Sequence, residues 1–463
     1  MRDSGHGFGR PWYRHDGLWK GMSLAGWLLN LIYLGLLSAV SPVLLYRAIV
    51  HGKYRRGWRE KLLGGLPQRA STGPCVWLHA VSVGEVLLLR TVIERLKRVD
   101  GELDIWISTT TDTGHTVATE QFPDCRVVYF PLDFTWAVRS ALERVRPDVV
   151  GLAELELWPN FIRAVEGQRI PLVLINGRIS DRSFRGYRRI RFLMRPTLRR
   201  FEALGVQTEE HRRRLMQLGA CGRRTVVTGS VKFDACGSRS SELRTGELRR
   251  ELGIEPGEPV FVGGSTHPPE EKFVLECYRA LREEIPGLRL VIAPRHRERF
   301  DEVAKLIQER GLSVVRRSGT GSNRSASEDH DRPVILWDTL GELHRGWGLA
   351  DAAFVGGSLS QRGGQNMLEP CGLGAAVVVG PNTWNFREAV ELLHAGKAIC
   401  VAGNQDELLK AVRRLLTDRD GAAAMGARAR GIVRAHQGAT AKTVDLLLEA
   451  MGVQASGLPR AAA

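Results

Sequence analysis

Short apolar runs alternate with longer amphipathic stretches over most of this chain. From residue 76 onward, runs such as 76–81, 104–109, 260–262 and 288–293 are each followed by a polar turn and a segment of helical periodicity. This alternation is typical of parallel α/β sheets, in which a helix follows each strand. Because the series starts afresh in the second half, we expect two Rossmann-like domains.

The N-terminal part has a different pattern. Residues 21–46 carry no charge and are predominantly apolar, with Asn30 as the least apolar side chain. The stretch is long enough to cross a hydrocarbon layer of about 30 Å, so it predicts a transmembrane anchor. A buried helix of a soluble domain is the alternative. The predicted order is an extension at 1–20, the anchor at 21–46, domains at 47–240 and 241–445, and a tail at 446–463.

The charges that flank this anchor predict its orientation. The basic residues after it are denser than those before it, and the positive-inside rule therefore places the main body in the cytoplasm. Those after it are Arg47, Lys53, Arg55, Arg56, Arg59 and Lys61, and those before it are Arg2, Arg10, Arg14 and Lys20.

Composition limits the classes of function. The chain has 463 residues, 43% of them hydrophobic, and a net charge of +15, which calls for an anionic partner such as nucleic acid, anionic lipid or a phosphorylated substrate. Its seven cysteines are scattered and form no CxxC pair. That usage is typical of a reducing compartment and argues against a disulfide framework and a structural zinc site.

The most basic segment is 178–200, in which arginines alternate with Phe184, Tyr187 and Phe192. Three interpretations stay open: a solvated helix face, a nucleic-acid surface, and a surface for the head group of an acidic lipid. No recognised nucleic-acid module is visible, and the anchor argues against a nucleic-acid partner.

Candidate catalytic side chains in the first domain follow predicted strands. Glu85 comes after the strand at 76–81, and Glu154 and Glu156 come after an apolar run that ends at Ala153. These acids are expected at the carboxyl edge of the sheet, where open α/β folds bind ligands. Glu85 is therefore a candidate general base, with complementation of a helix N-terminus as the alternative role. Lys232, near the end of a strand predicted at 225–234, is a candidate partner for a phosphate or carboxylate.

The second domain contains a glycine-rich stretch at 356–370, GGSLSQRGGQNMLEP, which follows an apolar run. A strand that leads through glycines into a helix brings backbone N–H groups close to an anionic ligand. Residues 263–266 are expected to form a turn rich in N–H and hydroxyl donors. Arg295, at the end of another predicted strand, suits a bidentate phosphate contact.

Ten motifs occur along the chain in a fixed order, and this ordered set carries a resemblance to a known family. They are SVGE, TDTG, ELELWPN, NGRISDRS, TGSVKFD, STHPPEE, APRHRERF, DTLGEL, FVGGSLSQRGGQNMLEP and GPNTWNF. Together they resemble the 3-deoxy-D-manno-octulosonic acid (Kdo) transferases of lipopolysaccharide biosynthesis, from the anchor to about residue 440. This resemblance implies the GT-B glycosyltransferase fold, in which two Rossmann-like domains face a cleft.

The resemblance also implies substrates, location and residue roles. The implied donor is CMP-Kdo and the implied acceptor is lipid IVA, the lipid A precursor, at the cytoplasmic face of the inner membrane, with no cofactor. Glu85 matches the family's proton acceptor, and Glu154 and Lys232 match its transition-state stabilisers. The CMP-binding segments match Pro294, Arg295, Leu340, Gly341, Glu342, Asn366, Met367, Leu368 and Glu369. The chain departs from the family at Gln365, where histidine is usual, and at Met367, where proline is common.

Two further expectations concern the chemistry. CMP-Kdo carries one phosphate and the chain has no Asp-x-Asp motif on a plausible loop, so we predict that transfer needs no metal. The alternative function is another membrane-associated GT-B glycosyltransferase that uses a UDP-sugar and a lipid-linked acceptor. Competition by CMP against UDP would separate the two.

Overall fold

The computed structural model describes residues 24–51, 56–235, 241–319 and 332–453. The predicted extension at 1–20 and residues 320–331 lie outside the described residues. The described chain forms two compact units. The first comprises the residues up to Gly205, Glu209–Val226 and those from Asp445 onward, and the second comprises Val206–Thr208 and Val227–Val444.

The first sheet has seven strands in the order β3-β2-β1-β4-β5-β6-β7. Strand β1 pairs in parallel with β2 and β4, and every residue of β1 is buried, which explains why its sequence is a continuous apolar run. The strands are β1 (Cys75–His79), β2 (Asp104–Thr109), β3 (Arg126–Tyr129), β4 (Val149–Ala153), β5 (Leu172–Gly177), β6 (Ala203–Val206) and β7 (Thr225–Val227).

Helices follow these strands, as the alternation predicts. They are α1 (Leu24–His51), α2 (Trp58–Leu63), α3 (Val83–Val99), α4 (Asp112–Gln121), α5 (Thr135–Val145), α6 (Pro159–Gly167), α7 (Asp181–Arg189), α8 (Arg191–Leu198) and α9 (Glu209–Leu218). Helix α3 buries its apolar positions, among them Val86, Leu89 and Leu96, and leaves its charged positions on the opposite face.

The second sheet also has seven strands, in the order β10-β11-β9-β8-β12-β13-β14, and its registered pairs are parallel. Hydrophobic cores lie on both of its faces, which suits a sheet covered by helices on two sides. The strands are β8 (Val260–Thr266), β9 (Arg289–Pro294), β10 (Val314–Arg316), β11 (Val334–Leu336), β12 (Ala352–Val355), β13 (Ala376–Val379) and β14 (Ile399–Val401).

The helices after β7 complete the described chain. They are α10 (Ser241–Glu251), α11 (Glu270–Arg282), α12 (Phe300–Gln308), α13 (Leu343–Gly346), α14 (Leu368–Leu373), α15 (Arg387–Ala395), α16 (Gln405–Thr417), α17 (Arg419–Ala435) and α18 (Ala439–Ala450). Two parallel α/β sheets with covering helices confirm the predicted fold class.

Two local predictions are wrong. The strand predicted at 225–234 ends at Val227, because Gly229 adopts φ 90°, and Lys232 lies in a short 3-10 helix, Val231–Phe233. Residues 263–266 are not a free turn. Strand β8 continues through them to Thr266, with a register shift at Ser265, whose φ is 52°.

Helix α1 corresponds to the predicted anchor. Its window Gly26–Val43 has a mean hydropathy of 1.5, and only 11% of that window is buried. By length and composition, α1 is a candidate membrane-spanning helix.

Candidate active site

Glu85 lies in the first turn of α3, directly after β1. The Ser82 hydroxyl accepts a hydrogen bond from the Glu85 N–H at 3.4 Å and donates to Glu85 Oε1 at 2.8 Å. Glu85 Oε2 accepts from the Val81 N–H at 2.9 Å. This reciprocal arrangement is a variant of the capping box encoded by the spacing S-x-x-E, in which Glu85 accepts from the residue before the N-cap Ser82. It holds the carboxylate at the carboxyl edge of the sheet. Glu85 therefore caps α3 and is at the same time a candidate base.

The surroundings of Glu85 favour its protonated form. Burial raises the pKa of this carboxyl above its usual value, and the charge of Glu154 raises it further. The hydrogen bonds from Val81 and Ser82 act in the opposite direction and leave the net shift upward. A carboxylate with a raised pKa is a stronger base, which suits a group that must take a proton near neutral pH.

Glu154 follows β4 in a left-handed backbone conformation, with φ 55°. Its N–H donates to the Ile175 carbonyl at 2.8 Å, and its carboxylate accepts from Arg178 Nε at 3.0 Å. The side chain is only 16% exposed, so the ion pair with Arg178 is partly shielded from solvent. The turn after β4 therefore holds this acid beside the sheet edge.

Glu156 is a third member of this group, and only its place after a predicted strand singled it out in the sequence. Burial, followed by the charges of Glu85 and Glu154, raises its pKa to about 7. The pKa of the nearby Tyr187 is raised by burial and then by Glu156. We refer to Glu85, Glu154 and Glu156 as the acidic cluster. Their mutual repulsion contributes to the raised pKa values of Glu85 and Glu156, and perturbed pKa values of this kind cluster at functional sites.

The glycine-rich loop of the second unit differs from its prediction. Glu270, at the start of α11, is fully buried and accepts the N–H groups of Gly357 at 2.7 Å, Leu359 at 2.9 Å and Ser360 at 3.0 Å. It also accepts the His267 N–H at 2.9 Å. The N–H donors at the start of the loop are thus occupied by an internal carboxylate. The expectation that bare N–H groups there face a ligand is wrong.

The later part of the loop requires glycine. Gly363 and Gly364 have φ values of 85° and 78°, and a Cβ on Gly363 would lie 2.5 Å from Trp384 Nε1. The Asn385 side chain donates to the Arg362 carbonyl at 3.1 Å, and the Asn385 N–H donates to the Gly363 carbonyl at 3.0 Å. These bonds tie the loop to residues 384–386.

Lys232 lies beside this assembly. Its Nζ donates to the Asn385 carbonyl at 3.0 Å and lies 4.8 Å from the centre of the Phe386 ring. The 3-10 helix Val231–Phe233 therefore brings the predicted stabiliser to the glycine-rich loop, through Asn385. The sequence does not predict this contact, because Lys232 and Asn385 are 153 positions apart.

Cationic and imidazole side chains gather near the same loop. The rings of His267 and His296 are 5.1 Å apart, and Gln365 Nε2 lies 3.2 Å from His267 Nε2. Burial, followed by the charges of His296, Arg362 and Arg295, lowers the pKa of His267 to about 4. His267 is therefore neutral near pH 7, and its Nε2 accepts from the Gln365 amide. We refer to His267, His296, Arg295 and Arg362 as the basic cluster.

The predicted CMP-binding segments follow strands that are neighbours in the second sheet. Pro294 ends β9 and Arg295 follows it, residues 340–342 follow β11, and residues 366–369 follow β12. Since β11, β9, β8 and β12 are consecutive and parallel, their carboxyl ends lie at one edge. The structure thus brings these segments to a common edge.

The residues of these segments differ in which of their atoms a ligand can reach. Met367 and Leu368 have fully buried side chains in the core, so only their backbone is available to a ligand. Asn366 donates to Glu369 Oε1 at 3.0 Å, and burial raises the pKa of Glu369. Three residues near α13 complete the set: Leu340 is exposed, Gly341 has φ 81°, and Glu342 Oε2 accepts from the Thr339 hydroxyl at 3.2 Å.

Within the ranges that the structure describes, no group of three or more His, Cys, Asp or Glu side chains is arranged to hold a metal ion. The expectation that transfer needs no metal stays a prediction.

Comparison with known families gives a match over much of the first unit. Residues 56–235 match a family model described as 3-deoxy-D-manno-octulosonic-acid transferase (kdotransferase). The chain is 32% identical to a 3-deoxy-D-manno-octulosonic acid transferase of Haemophilus influenzae, over 90% of this chain and 95% of that protein. It is 34% identical to the Bordetella pertussis enzyme of the same name, over 81% and 87%. A bifunctional glycosyltransferase/methyltransferase of Fusobacterium nucleatum is 30% identical over 81% of this chain, which spans 59% of that longer protein.

Solved structures resemble the chain in fold. The UDP-GlcNAc 2-epimerase of Neisseria meningitidis aligns with a TM-score of 0.53 and 14% identity, over 81% of this chain and 100% of that one. A glycosyltransferase from Rickettsia africae aligns with a TM-score of 0.52 and 12% identity, over 82% and 99%. At these identities the likeness concerns the fold alone, and it is the likeness expected of a GT-B architecture.

Proposed function

Because this chain belongs to the 3-deoxy-D-manno-octulosonic acid (Kdo) transferase family, we propose that it transfers Kdo from CMP-Kdo to lipid IVA in lipopolysaccharide biosynthesis. Relatives of that name at 32% and 34% identity, which this chain covers almost entirely, establish the family and the glycosyltransferase class. The proposal concerns the donor, the acceptor and the roles of individual residues.

The observation that carries the mechanism is the setting of Glu85. Its carboxylate is fixed by Val81 and Ser82 at the carboxyl edge of the first sheet, and its pKa is raised by burial and by Glu154. A side chain that is both held in place and made more basic has the properties of a general base.

The proposed reaction is a single displacement with inversion. Glu85 takes the proton of a glucosamine hydroxyl as that oxygen forms a bond to the anomeric carbon of Kdo. The bond between this carbon and the CMP phosphate oxygen breaks, and CMP leaves with the electron pair. The proton ends on Glu85, and the negative charge ends on the phosphate, so the step needs no further reactant.

Glu154 is proposed to stabilise the transition state. Glycosyl transfer proceeds through an oxocarbenium-like state, in which positive charge develops on the sugar ring. A partly buried carboxylate, oriented by Arg178 at 3.0 Å, is suited to stabilise that charge. The same negative charge raises the basicity of Glu85.

The second unit is proposed to bind the donor. Its glycine-rich loop starts with N–H groups that Glu270 already occupies, so side chains must supply most of the positive charge that faces the phosphate. Arg295 and Arg362 of the basic cluster, together with Lys232, are the proposed partners of the leaving phosphate. The exposed Leu340 and the backbone of residues 366–369 are proposed to contact the nucleotide.

The proposed location is the inner membrane, with the catalytic body at its cytoplasmic face. The support is α1, whose apolar residues are largely exposed, together with the dense basic residues that follow it in the sequence. The exposed Phe192 and the arginines of α7 and α8 are consistent with a contact to acidic lipid.

Product analysis by mass spectrometry tests this function. The purified chain and its Glu85→Gln variant are incubated with lipid IVA and CMP-Kdo generated in the same tube. We expect added Kdo mass with the wild type alone. Undiminished transfer by Glu85→Gln would refute the role of Glu85 and keep the activity. No transfer by a folded wild type in detergent, together with tighter binding of UDP than of CMP, would favour a UDP-sugar donor instead.

A further inference from the structure

His267 directly follows β8, at the centre of the edge where the predicted CMP-binding segments lie. Strand β8 pairs with β9 on one side and with β12 on the other, and it ends at Thr266. Arg295 follows β9, and the glycine-rich loop follows β12. Because the carboxyl ends of these parallel strands meet at one edge, His267 lies between the two segments. Neither the sequence patterns nor the family resemblance assigned it a role.

The position of Gln365 is fixed by the glycine-rich loop. The Gln365 N–H donates to the Gly356 carbonyl at 3.0 Å. The Gly364 N–H donates to the Gly357 carbonyl at 2.8 Å, so the two ends of the loop are joined. Gly357 has φ 69°, and a Cβ at this position would lie 3.2 Å from both Cγ and Nε2 of Gln365. The glycine therefore leaves room for the Gln365 amide beside the loop.

The Gln365 amide faces the imidazole of His267. Gln365 Nε2 lies 3.2 Å from His267 Nε2. An amide nitrogen donates hydrogen bonds and does not accept them, so the ring nitrogen is the acceptor. The proton of the neutral imidazole must then lie on Nδ1. Gln365 therefore selects one of the two tautomers of His267.

The Nδ1 atom of His267 is available to a ligand. The residue is only 4% exposed. Apart from the contact with Gln365, the ring makes no hydrogen bond to the residues that the structure describes, and Nδ1 itself is in contact with solvent. The ring therefore combines an enclosed acceptor with an accessible N–H group.

Among the described residues, cations outnumber free carboxylates around His267. The carboxylate of Glu270, on α11, is occupied by four backbone N–H groups, among them that of His267. Glu271, beside it, is paired with Arg299. The other charged or titratable groups that act on the ring are basic, and they are Arg295, His296 and Arg362. An anionic group is therefore the ligand that suits this position.

We propose that His267 binds an anionic oxygen of CMP-Kdo through its Nδ1–H, and that Gln365 is a positioning residue that keeps the proton on that nitrogen. CMP-Kdo offers two anionic groups, the phosphate of CMP and the carboxylate of Kdo. The imidazole adds a directed N–H group beside the charges of Arg295 and Arg362. The inference rests on the proposed function, because it takes CMP-Kdo as the ligand.

The arrangement keeps the imidazole in one protonation state over a wide pH range. Burial and the neighbouring charges lower the pKa of His267 to about 4. The ring therefore stays neutral, with its proton on Nδ1, from about pH 5.5 upward. The amide of Gln365 does not titrate and donates at every pH. The contribution of this pair to anion binding should thus be constant in that range.

Replacing Gln365 with glutamate reverses the hydrogen bond. A carboxylate accepts from Nε2–H, so the neutral ring would carry its proton on Nε2, and Nδ1 would hold one only in the imidazolium form. The affinity for CMP is measured by calorimetry on the full chain in detergent, from pH 5.5 to 8. The matched control is Gln361→Glu, which adds the same charge at an exposed position of the same loop.

We expect Gln365→Glu to weaken CMP binding about tenfold more than Gln361→Glu does at pH 8. The difference should shrink towards pH 5.5, because the imidazolium again carries a proton on Nδ1. Comparison at equal pH cancels the titration of the CMP phosphate and of His296, which both variants share. An equal loss in the two variants, or a difference that grows as the pH falls, would refute the role of Gln365.

Variants of His267 identify the anion that it binds. His267→Leu has no N–H group, whereas His267→Asn places an amide N–H near the position of Nδ1. We expect His267→Leu to raise the Kd of CMP, or only the KM of CMP-Kdo, about 10- to 100-fold, with partial recovery in His267→Asn. The first result assigns the phosphate, and the second assigns the carboxylate. Unchanged values for both ligands, or an equal loss for cytidine, which carries neither anion, would overturn the proposal.

The same proteins separate this inference from the proposed function. A wild type that binds UDP more tightly than CMP would refute the proposed donor. The variants of His267 and Gln365 would then be measured with UDP, whose phosphate oxygens test the same N–H group. Unchanged UDP affinity in His267→Leu would overturn the inference as well.

Discussion

Glu85 and Glu270 are both carboxylates that accept backbone N–H groups beside a strand-to-helix turn, yet their settings differ. The partners of Glu85 are Val81 and Ser82 of its own turn, and its side chain remains half-buried. Glu270 is fully buried and bonds to loop residues almost ninety positions away. The first carboxylate remains partly exposed, as its proposed role as a base requires, and the second is an internal carboxylate that holds the loop.

The groups around these two turns extend the contrast. In the acidic cluster, burial and neighbouring carboxylates raise the pKa values of Glu85 and Glu156. In the basic cluster, burial and neighbouring cations lower the pKa of His267 to about 4. In the proposed mechanism, the edge of the first sheet takes up a proton and the edge of the second sheet holds an anion. Equivalent positions of the same architecture thus acquire opposite electrostatic character.

The largest effect should follow from the loss of the carboxylate at position 85. We expect Glu85→Gln to lower kcat about 10³-fold, because general-base catalysis contributes roughly 10²–10⁴-fold. The KM for CMP-Kdo should stay within about twofold, since this residue is not assigned to donor binding. Steady-state kinetics with lipid IVA as acceptor measure both. Glu94→Gln, on the exposed face of the same helix, is the matched control and should act like the wild type.

Glu270→Gln should instead affect stability and the loop. The amide can accept through one oxygen only, and its NH₂ group would face the backbone donors that Glu270 now satisfies. Leaving such buried donors unpaired costs about 3 kcal/mol, equivalent to roughly 6–12 °C in the melting temperature of a unit of this size.

Calorimetry of Glu270→Gln beside Glu283→Gln measures this cost. Glu283 lies exposed at the other end of α11, and its replacement should have no effect. A stable Glu270→Gln variant with normal CMP affinity would contradict the structural role assigned to Glu270.

How much of this contrast the sequence could reveal depends on the range of the contacts. Glu85 was predictable because an S-x-x-E box after an apolar run is a local signal. The tie between Glu270 and Gly357 was not, because it joins two turns that are adjacent only once β8 and β12 pair. The prediction of a strand around Lys232 was wrong, because the pattern of apolar residues does not reveal the φ of Gly229.

The same reasoning applies to the fold and to α1. Continuous apolar runs predict buried parallel strands, and β2 lies where the sequence placed it, at Asp104–Thr109. The apolar length of α1 was equally clear. The hydrogen bonds of Asn30 could not be predicted, because its partners Thr135 and Asn160 are more than a hundred residues away and only tertiary packing brings them to the helix.

The pH dependence of a Glu154 variant tests the electrostatic coupling within the acidic cluster. In the proposed mechanism transfer requires unprotonated Glu85, so we expect its rate to fall as pH drops through the pKa of this carboxyl. The charge of Glu154 raises that pKa, and Glu154→Gln should therefore move the acidic limb of the kcat/KM profile to lower pH, whatever its effect on the maximal rate. The surface variant Glu166→Gln, which breaks only an exposed pair with Arg200, should leave the limb in place. A limb that moves to higher pH would contradict the electrostatic coupling.

Metal removal should have the smallest effect, and it tests whether the basic cluster and Lys232 stabilise the leaving phosphate without a cation. The leaving CMP carries a single phosphate, and Arg295, Arg362 and Lys232 are the groups proposed to neutralise it, a task that many sugar transferases give to a divalent cation. We therefore expect chelator-treated, metal-free protein to transfer Kdo at a rate within about twofold of the untreated protein. The comparison must use CMP-Kdo purified beforehand, so that the requirements of a donor-generating enzyme do not enter. Loss of transfer that Mg²⁺ restores would mean that the basic cluster alone does not stabilise the leaving group. The opposite characters of the two sheet edges would then be insufficient for the reaction.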